Sequence, residues 1–170
     1  MNKPVCLILG AGAGMVGHVA KRFAREGYHA CLARRSDKAG LDPLVAEIEA
    51  EGGSATGFML DAAVEDGSIE QRVQHIEADI GPIGVAVFNL GAQIGDLGLR
   101  HTAQDARPGA LCRAARIKGA AARRPAVAAE VANTYFYLAH QHRSAWTFEL
   151  DLRDHSDLAW WNHAPNPDLK

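Results

Sequence analysis

Residues 7–17, LILGAGAGMVG, place three glycines at alternate positions directly after an apolar run, with a fourth glycine three residues later. Gly12, Gly14 and Gly17 form the pattern GxGxxG. In a turn between a strand and a helix, this pattern lets backbone N–H groups approach a pyrophosphate at the start of the helix. A glycine-rich turn without a ligand can have the same pattern, but its position between an apolar run and an amphipathic run favours a dinucleotide-binding loop.

Two arginines, Arg34 and Arg35, follow the second apolar run of the chain. NAD-binding chains usually have an acidic residue here, which binds the ribose 2′-hydroxyl. Guanidinium groups suit a 2′-phosphate instead, so the sequence favours NADP as the cofactor over NAD. Asp37 lies close by and keeps NAD open, and two solvated arginines are the alternative without a ligand.

Apolar runs and amphipathic runs alternate four times over the first hundred residues. The predicted strands are residues 4–9, 28–33, 58–60 and 83–88. Three helices are predicted between them: one from the glycine loop to Gly27, one opened by Asp42 and Pro43 and closed by Gly52, and one from a capping box of Ser68 and Gln71 to Gly81. This alternation predicts an α/β fold, a parallel sheet with helices on both faces that binds ligands at the carboxyl ends of its strands.

Two polar residues follow the third and fourth predicted strands, Asp61 and Asn89. Together with GxxxG at Gly10 and Gly14 and with NLGA at residues 89–92, they make the sequence resemble the short-chain dehydrogenase/reductase family. The resemblance implies a Rossmann-like, doubly wound parallel sheet and a nicotinamide dinucleotide as partner. It also implies that Asp61 binds the adenine amino group and that residues 89–92 stabilise the central strand and border the cofactor, although Asp and Asn also favour turns at strand ends. The cofactor-binding residues so implied are Gly10, Gly12, Gly14, Met15, Gly17, Arg34, Arg35, Asp61, Asn89 and Gly91.

The sequence departs from the family at Val16, where the family pattern has its last glycine. A branched side chain there would crowd the pyrophosphate, unless the register shifts so that Gly17 takes the place of that glycine.

The family's catalytic residues, a Ser and a Tyr-x-x-x-Lys, have no counterpart in this sequence. A tyrosine that exchanges a proton needs its pKa lowered from about 10, which a lysine one helical turn away achieves. Tyr28, Tyr135 and Tyr137 are followed four residues later by Leu, Ala and Gln. We therefore assign no catalytic residue.

Residues 101–126 differ in composition from the rest of the chain. Between positions 101 and 125 there are eight alanines and six basic residues against one Asp. Such a segment cannot supply the two buried strands and the dimer-forming helices that the resemblance implies here. A shifted reading frame, a splice variant or an internal deletion would produce such an abrupt change in composition. The alternatives are a solvated Ala/Arg linker and a segment that binds phosphate or RNA.

Residues 127–170 again resemble the family, in its C-terminal part. Helical spacing of apolar residues predicts a helix over 127–138, and alternation predicts a strand over 146–152. The fourth strand, without its family neighbour, is expected to be an exposed edge or to pair with residues 146–152. The sequence thus predicts a truncated sheet of strands one to four plus a C-terminal strand. Its parts are a Rossmann-type NADP-binding half at 1–100, the basic segment at 101–126, and a helix, strand and tail at 127–170.

Composition excludes several other classes of protein. The 170 residues are 48% hydrophobic and have a net charge of −2, so no nucleic-acid partner is indicated. No run approaches the roughly 20 apolar residues that span a bilayer. Cys6, Cys31 and Cys112 form no CxxC pair and are interpreted as reduced packing residues of a cytoplasmic protein. The spacing of the eight histidines predicts no metal site.

Two functional hypotheses follow from the sequence. The first is an NADP-preferring oxidoreductase that moves hydride between the nicotinamide and a carbonyl or alcohol. The second is a catalytically inactive remnant that binds a nucleotide or a partner, which the missing Tyr-x-x-x-Lys favours.

Overall fold

A computed structural model describes residues 3–62, 67–89, 112–113, 125–150 and 152. Strands and helices alternate along most of these residues. The strands are β1 (Val5–Leu9), β2 (His29–Arg34), β3 (Ser54–Met59), β4 (Ile83–Phe88) and β5 (Cys112–Arg113). The helices are α1 (Met15–Arg25), α2 (Lys38–Ala50), α3 (Ser68–Asp79) and α4 (Pro125–Ala139), followed by a short 3-10 helix, Arg143–Ala145. Within these ranges no helix has the length and apolar character needed to cross a membrane.

The five strands form one sheet in the order β3-β2-β1-β4-β5, and every neighbouring pair is parallel. The central strand β1 is buried over most of its length, as its uninterrupted apolar sequence predicts. The predicted Rossmann-like α/β sheet is confirmed for its first four strands. The proposed division of the chain at residues 100 and 126 stays a prediction.

The sheet has an apolar core on each face. One core packs Phe23 of α1, Ile48 of α2 and Tyr135 of α4 against residues such as Ile8 of β1. The core on the other face is smaller and packs Ile76 of α3 against β1 and β2. Because β1 and β2 are covered on both faces, their strand ends have a fixed position relative to each other.

The predicted C-terminal strand is wrong. Residues 146–150 form no strand, and the edge of β4 is paired at Ala86 and Val87 with the two residues of β5. The side chain of Gln141 accepts a hydrogen bond from the backbone N–H of Thr147 at 2.9 Å, so this N–H is already used. The ring of Phe148 is fully exposed, so the alternating pattern covers no apolar face.

One predicted helix start and one predicted helix cap are also wrong. Helix α2 begins at Lys38 rather than at Asp42, because Asp37 caps it by accepting from the N–H of Gly40 at 2.9 Å. Pro43 therefore lies in the second turn of the helix, where its missing N–H removes one helical hydrogen bond. At α3 the residue before the helix is Gly67, in the left-handed conformation, and not Ser68 of the predicted capping box.

The predicted helix near residues 127–138 is confirmed as α4, which packs on α1. The guanidinium of Arg22 lies 4.2 Å from the centroid of the Phe136 ring, and its Nε donates to Asn133 at 2.8 Å. The Phe23 and Phe136 rings meet edge to face, with their centroids 5.2 Å apart. Cation–π and edge-to-face contacts of this kind each add to the stability gained by burial alone.

Candidate functional site

The predicted site residues follow strands that end at the same edge of the sheet. Leu9 is in register with Ala33 and with Phe88, and Arg34 is in register with Met59. In a parallel sheet the residues after these positions therefore emerge side by side. The glycine loop, Arg34 and Arg35, Asp61, and Asn89 accordingly lie in a row along the carboxyl edge.

Backbone hydrogen bonds join the four strand ends at this edge. Asn89 donates its N–H to the carbonyl of Leu9 at 2.9 Å. Gly10 and Ala11 both donate to the carbonyl of Ala33, at 2.9 and 3.0 Å, and Leu60 donates to that of Arg34 at 2.9 Å. These backbone hydrogen bonds therefore fix the first residues of the loops without a ligand.

Gly10 starts the loop with a positive φ of 87°, a conformation that side chains rarely adopt. Gly12 and Gly14 differ, because neither has a positive φ. A Cβ built at either position would meet no atom within 4 Å. Glycine at these two positions is therefore required neither by packing nor by a positive φ. The open space beside the start of α1 does fit a ligand that approaches the backbone.

Gly17 is packed tightly against the loop. A Cβ there would lie 3.0 Å from the carbonyl oxygen of Gly12 and 3.3 Å from Leu44. The side chain of Val16 is 6% exposed and belongs to the core between α1 and the sheet, and half-buried Met15 packs on that core. Burial of Val16 removes it from the opening and favours the register Gly12, Gly14 and Gly17, in which the last glycine allows the helix to approach the strand.

The two arginines at the end of β2 differ in their surroundings. Arg34 Nη2 lies 2.8 Å from Asp37 Oδ2, and its side chain is 27% exposed. Arg35 is exposed, and within the described ranges it makes no salt bridge. Among the arginines that the structure describes at this edge, Arg35 alone is therefore outside any salt bridge.

Asp61 and Asn89 are both half-buried where their strands end. Leu90, Gly91 and Ala92 lie outside the described residues, so their predicted place at the cofactor is carried by the sequence alone. In the described ranges, no three His, Cys, Asp or Glu side chains are grouped as metal ligands.

Sequence reasoning missed the structural role of Asp37, which it considered only in connection with NAD. Asp37 has a φ of 66° and is the only residue other than glycine with a positive φ in the described ranges. The signal was present as an Asp followed three residues later by a glycine, an arrangement in which a side chain can cap a helix. The apolar pattern pointed instead to Asp42 and Pro43.

Cys6 and Cys31 are buried and free, as predicted, and they belong to the cores on opposite faces of the sheet. Burial raises the pKa of the Cys31 thiol to about 12, and burial likewise raises the pKa of Cys6. Both thiols are therefore protonated at neutral pH and act as packing groups.

A family model for short chain dehydrogenase matches residues 4–107, more than half of the chain. A short chain dehydrogenase of Pseudocercospora fijiensis is 37% identical over 93 residues, which are 54% of this chain and 29% of that protein. The 2-dehydro-3-deoxy-D-gluconate 5-dehydrogenase of Formosa agariphila is 31% identical over 87 residues, 51% of this chain and 33% of that protein. The matched region thus spans about a third of the length of these relatives.

A solved structure shares the fold over most of the chain. The short-chain dehydrogenase from Rhodopseudomonas palustris is 24% identical, with a TM-score of 0.68, over 89% of this chain and 99% of that one. The parallel sheet and the position of its four strand ends are those expected from the family match. This chain belongs to the short chain dehydrogenase family.

Proposed function

We propose that the chain binds a nicotinamide dinucleotide along the carboxyl edge of its sheet, with NADP preferred to NAD, as part of an oxidoreductase. The observation that carries the proposal is the open space at Gly12 and Gly14, where a Cβ would meet nothing within 4 Å. Glycine at these positions is explained when a ligand must come close to the backbone.

Each residue of the edge has a separate task in this proposal. Met15 and Val16 begin α1, so the geometry of the helix gives their N–H groups no carbonyl partner within it, and they would donate to the pyrophosphate. Arg35 supplies positive charge for a 2′-phosphate. Asp61 accepts from the adenine amino group, and Asn89 borders the cofactor at the end of β4; for Gly91 a role at the cofactor is supported by the sequence alone. Gly10 and Gly17 hold the shape of the loop.

The bound nicotinamide would supply a hydride to a carbonyl, or take one from an alcohol. A second candidate function is dinucleotide binding without turnover. Its support is in the sequence, because none of the three tyrosines is followed four residues later by a lysine that could lower its pKa.

Binding is tested with a pair of Gly→Ala variants. In Gly12→Ala the methyl group enters the open space, so we expect the Kd for NADPH, followed by its fluorescence, to rise at least about tenfold while the melting temperature stays the same. Gly84→Ala is the control: its Cβ makes ordinary contacts, the nearest at 3.5 Å to Tyr28, at the opposite end of the sheet. Equal affinity in the two variants would contradict the proposed site.

Turnover is tested separately on the unmodified chain. NADPH oxidation with a panel of aldehydes and ketones, measured at cofactor saturation, distinguishes the two candidates. Consumption of NADPH that depends on the carbonyl compound supports the oxidoreductase. Binding without consumption supports the second candidate.

A further inference from the structure

We propose that Asp37 is a positioning residue that sets the preference between NADP and NAD, by pairing with Arg34 and leaving Arg35 as the cation for the 2′-phosphate. This inference rests on the proposed cofactor site. It goes beyond that proposal by giving the two arginines different roles, because their surroundings differ.

Both carboxylate oxygens of Asp37 are engaged within the turn between β2 and α2. Oδ1 accepts from the N–H of Gly40 at 2.9 Å, and Oδ2 lies 2.8 Å from Nη2 of Arg34. The left-handed conformation of Asp37 brings its side chain over the first turn of α2. Asp37 is therefore occupied as a cap and ion-pair partner, and using it for a ribose hydroxyl would disturb both contacts.

The ion pair lies directly over Gly40. A Cβ at Gly40 would be 2.6 Å from Oδ2 of Asp37 and 2.9 Å from Nη1 of Arg34. A glycine is thus required for the pair to lie so close to the backbone. Asp37, Arg34 and Gly40 form a closed arrangement that we call the clasp.

The clasp changes the charge that a 2′-phosphate meets. Arg34 and Asp37 together are neutral, so the turn presents one net positive charge, on exposed Arg35, instead of two. A phosphate that recruited Arg34 would have to compete with a carboxylate already in contact with it. Asp37 therefore weakens NADPH binding, while NADH, which has no 2′-phosphate, is insensitive to it.

The test measures Kd values for NADPH and NADH in the full chain and in three variants. Asp37→Asn keeps an oxygen for the N–H of Gly40 and removes the charge, so we expect NADPH to bind at least about threefold tighter with NADH unchanged. Arg35→Gln should weaken NADPH about tenfold or more and leave NADH unchanged. Arg34→Gln leaves the carboxylate of Asp37 unneutralised and lowers the net charge of the turn by one, so we expect it to weaken NADPH about threefold, less than Arg35→Gln does.

A double variant separates positioning from a purely structural role. Adding Arg34→Gln to Asp37→Asn should cancel the gain in NADPH affinity, and the gain should shrink as salt is added. The inference is overturned if Arg34→Gln weakens NADPH as much as Arg35→Gln does, or if Asp37→Asn shifts both cofactors equally. If the unmodified chain binds neither cofactor, the proposed function fails as well, whereas an unchanged ratio with both bound refutes the clasp alone.

Discussion

The hydroxyl of Tyr28 and Nε2 of His140 lie 3.1 Å apart, joining the residue before β2 to the residue after α4. Nδ1 of the same imidazole lies 2.8 Å from the carbonyl oxygen of Phe136, which can only accept a hydrogen bond. In the neutral imidazole Nδ1 therefore has the proton, and Nε2 accepts from the tyrosine. Burial raises the pKa of Tyr28, so its phenol keeps the proton that it donates.

This hydrogen bond should contribute to the attachment of α4. Tyr28→Phe removes the hydroxyl and keeps the ring that meets Phe23 edge to face, so we expect the free energy of unfolding to fall by about 1 kcal/mol. Urea unfolding measures the change. Tyr137→Phe is the control, since Tyr137 is 65% exposed and the same substitution should cost little. Equal effects of the two variants would show that the contact with His140 contributes nothing.

The same substitution should destabilise the protein at Gly17 but leave its stability almost unchanged at Gly12. Gly17→Ala places a methyl group 3.0 Å from the carbonyl oxygen of Gly12, a backbone atom that moves only with the loop. We expect a loss of about 1–3 kcal/mol in the free energy of unfolding. Gly12→Ala meets nothing and should stay within about 0.5 kcal/mol. Thermal melts of the two purified variants would reveal the difference, and a reversed order would rule out the packing assigned to Gly17.

Much of the site at the carboxyl edge of the sheet could be predicted from the sequence. Uninterrupted apolar residues predicted β1, and the glycines after it marked the loop, because a buried parallel strand and a tight turn have strong local signals. The start of α2 could not be predicted in this way. The start depends on the left-handed φ of Asp37 and on the pairing of Asp37 with Arg34. Both features involve only a few residues and produce no periodic pattern of apolar residues.

The failed strand at residues 146–150 has a different cause. Alternation of Trp146, Phe148 and Leu150 with polar residues is typical of a strand, but a strand also needs a neighbour with free backbone groups. The neighbour is decided by the whole fold, and here β5 pairs with β4 while Gln141 takes the N–H of Thr147. Local patterning cannot reveal that competition.

His29 should make the stability of the fold depend on pH near neutrality. Its Nε2 lies 2.8 Å from the hydroxyl of Thr56, and burial, followed by the charge of Lys3, lowers its pKa below 6.5. Between the lowered pKa and 6.5 the unfolded chain binds more protons than the folded one. The contribution of His29 to the free energy of unfolding is therefore present above pH 6.5 and is lost as the pH falls through the lowered pKa.

Replacing His29 should make the free energy of unfolding depend less on pH. His29→Gln removes the titrating group, so its free energy of unfolding should change less between pH 5 and 7 than that of the unmodified chain. The measurement is a series of urea titrations at several pH values. An unchanged slope in His29→Gln would contradict the assignment.

Glu51 should stabilise the contact between α1 and the end of α2 at neutral pH but not in acid. Its carboxylate accepts from Lys21 at 3.0 Å and from Arg25 at 2.7 Å, and the hydrogen bond from Lys21, then that from Arg25, lowers its pKa. A lowered pKa means that the stabilisation is present above the ordinary value and is lost as the pH falls through the lowered one. Because the side chain is 35% exposed, solvent screening limits the contribution to about 0.2–1 kcal/mol.

Glu51→Gln should therefore lower the free energy of unfolding at pH 7 by that amount and have no effect once the pH is below the lowered pKa of Glu51. Raising the ionic strength to about 1 M should reduce the difference at pH 7, because the contacts are partly open to water. Glu49→Gln, an exposed glutamate in the last turn of α2, is the control and should cost less at pH 7. A loss in Glu51→Gln that persists equally in acid and in high salt would mean that packing of the side chain, and not its charge, stabilises the contact between the helices.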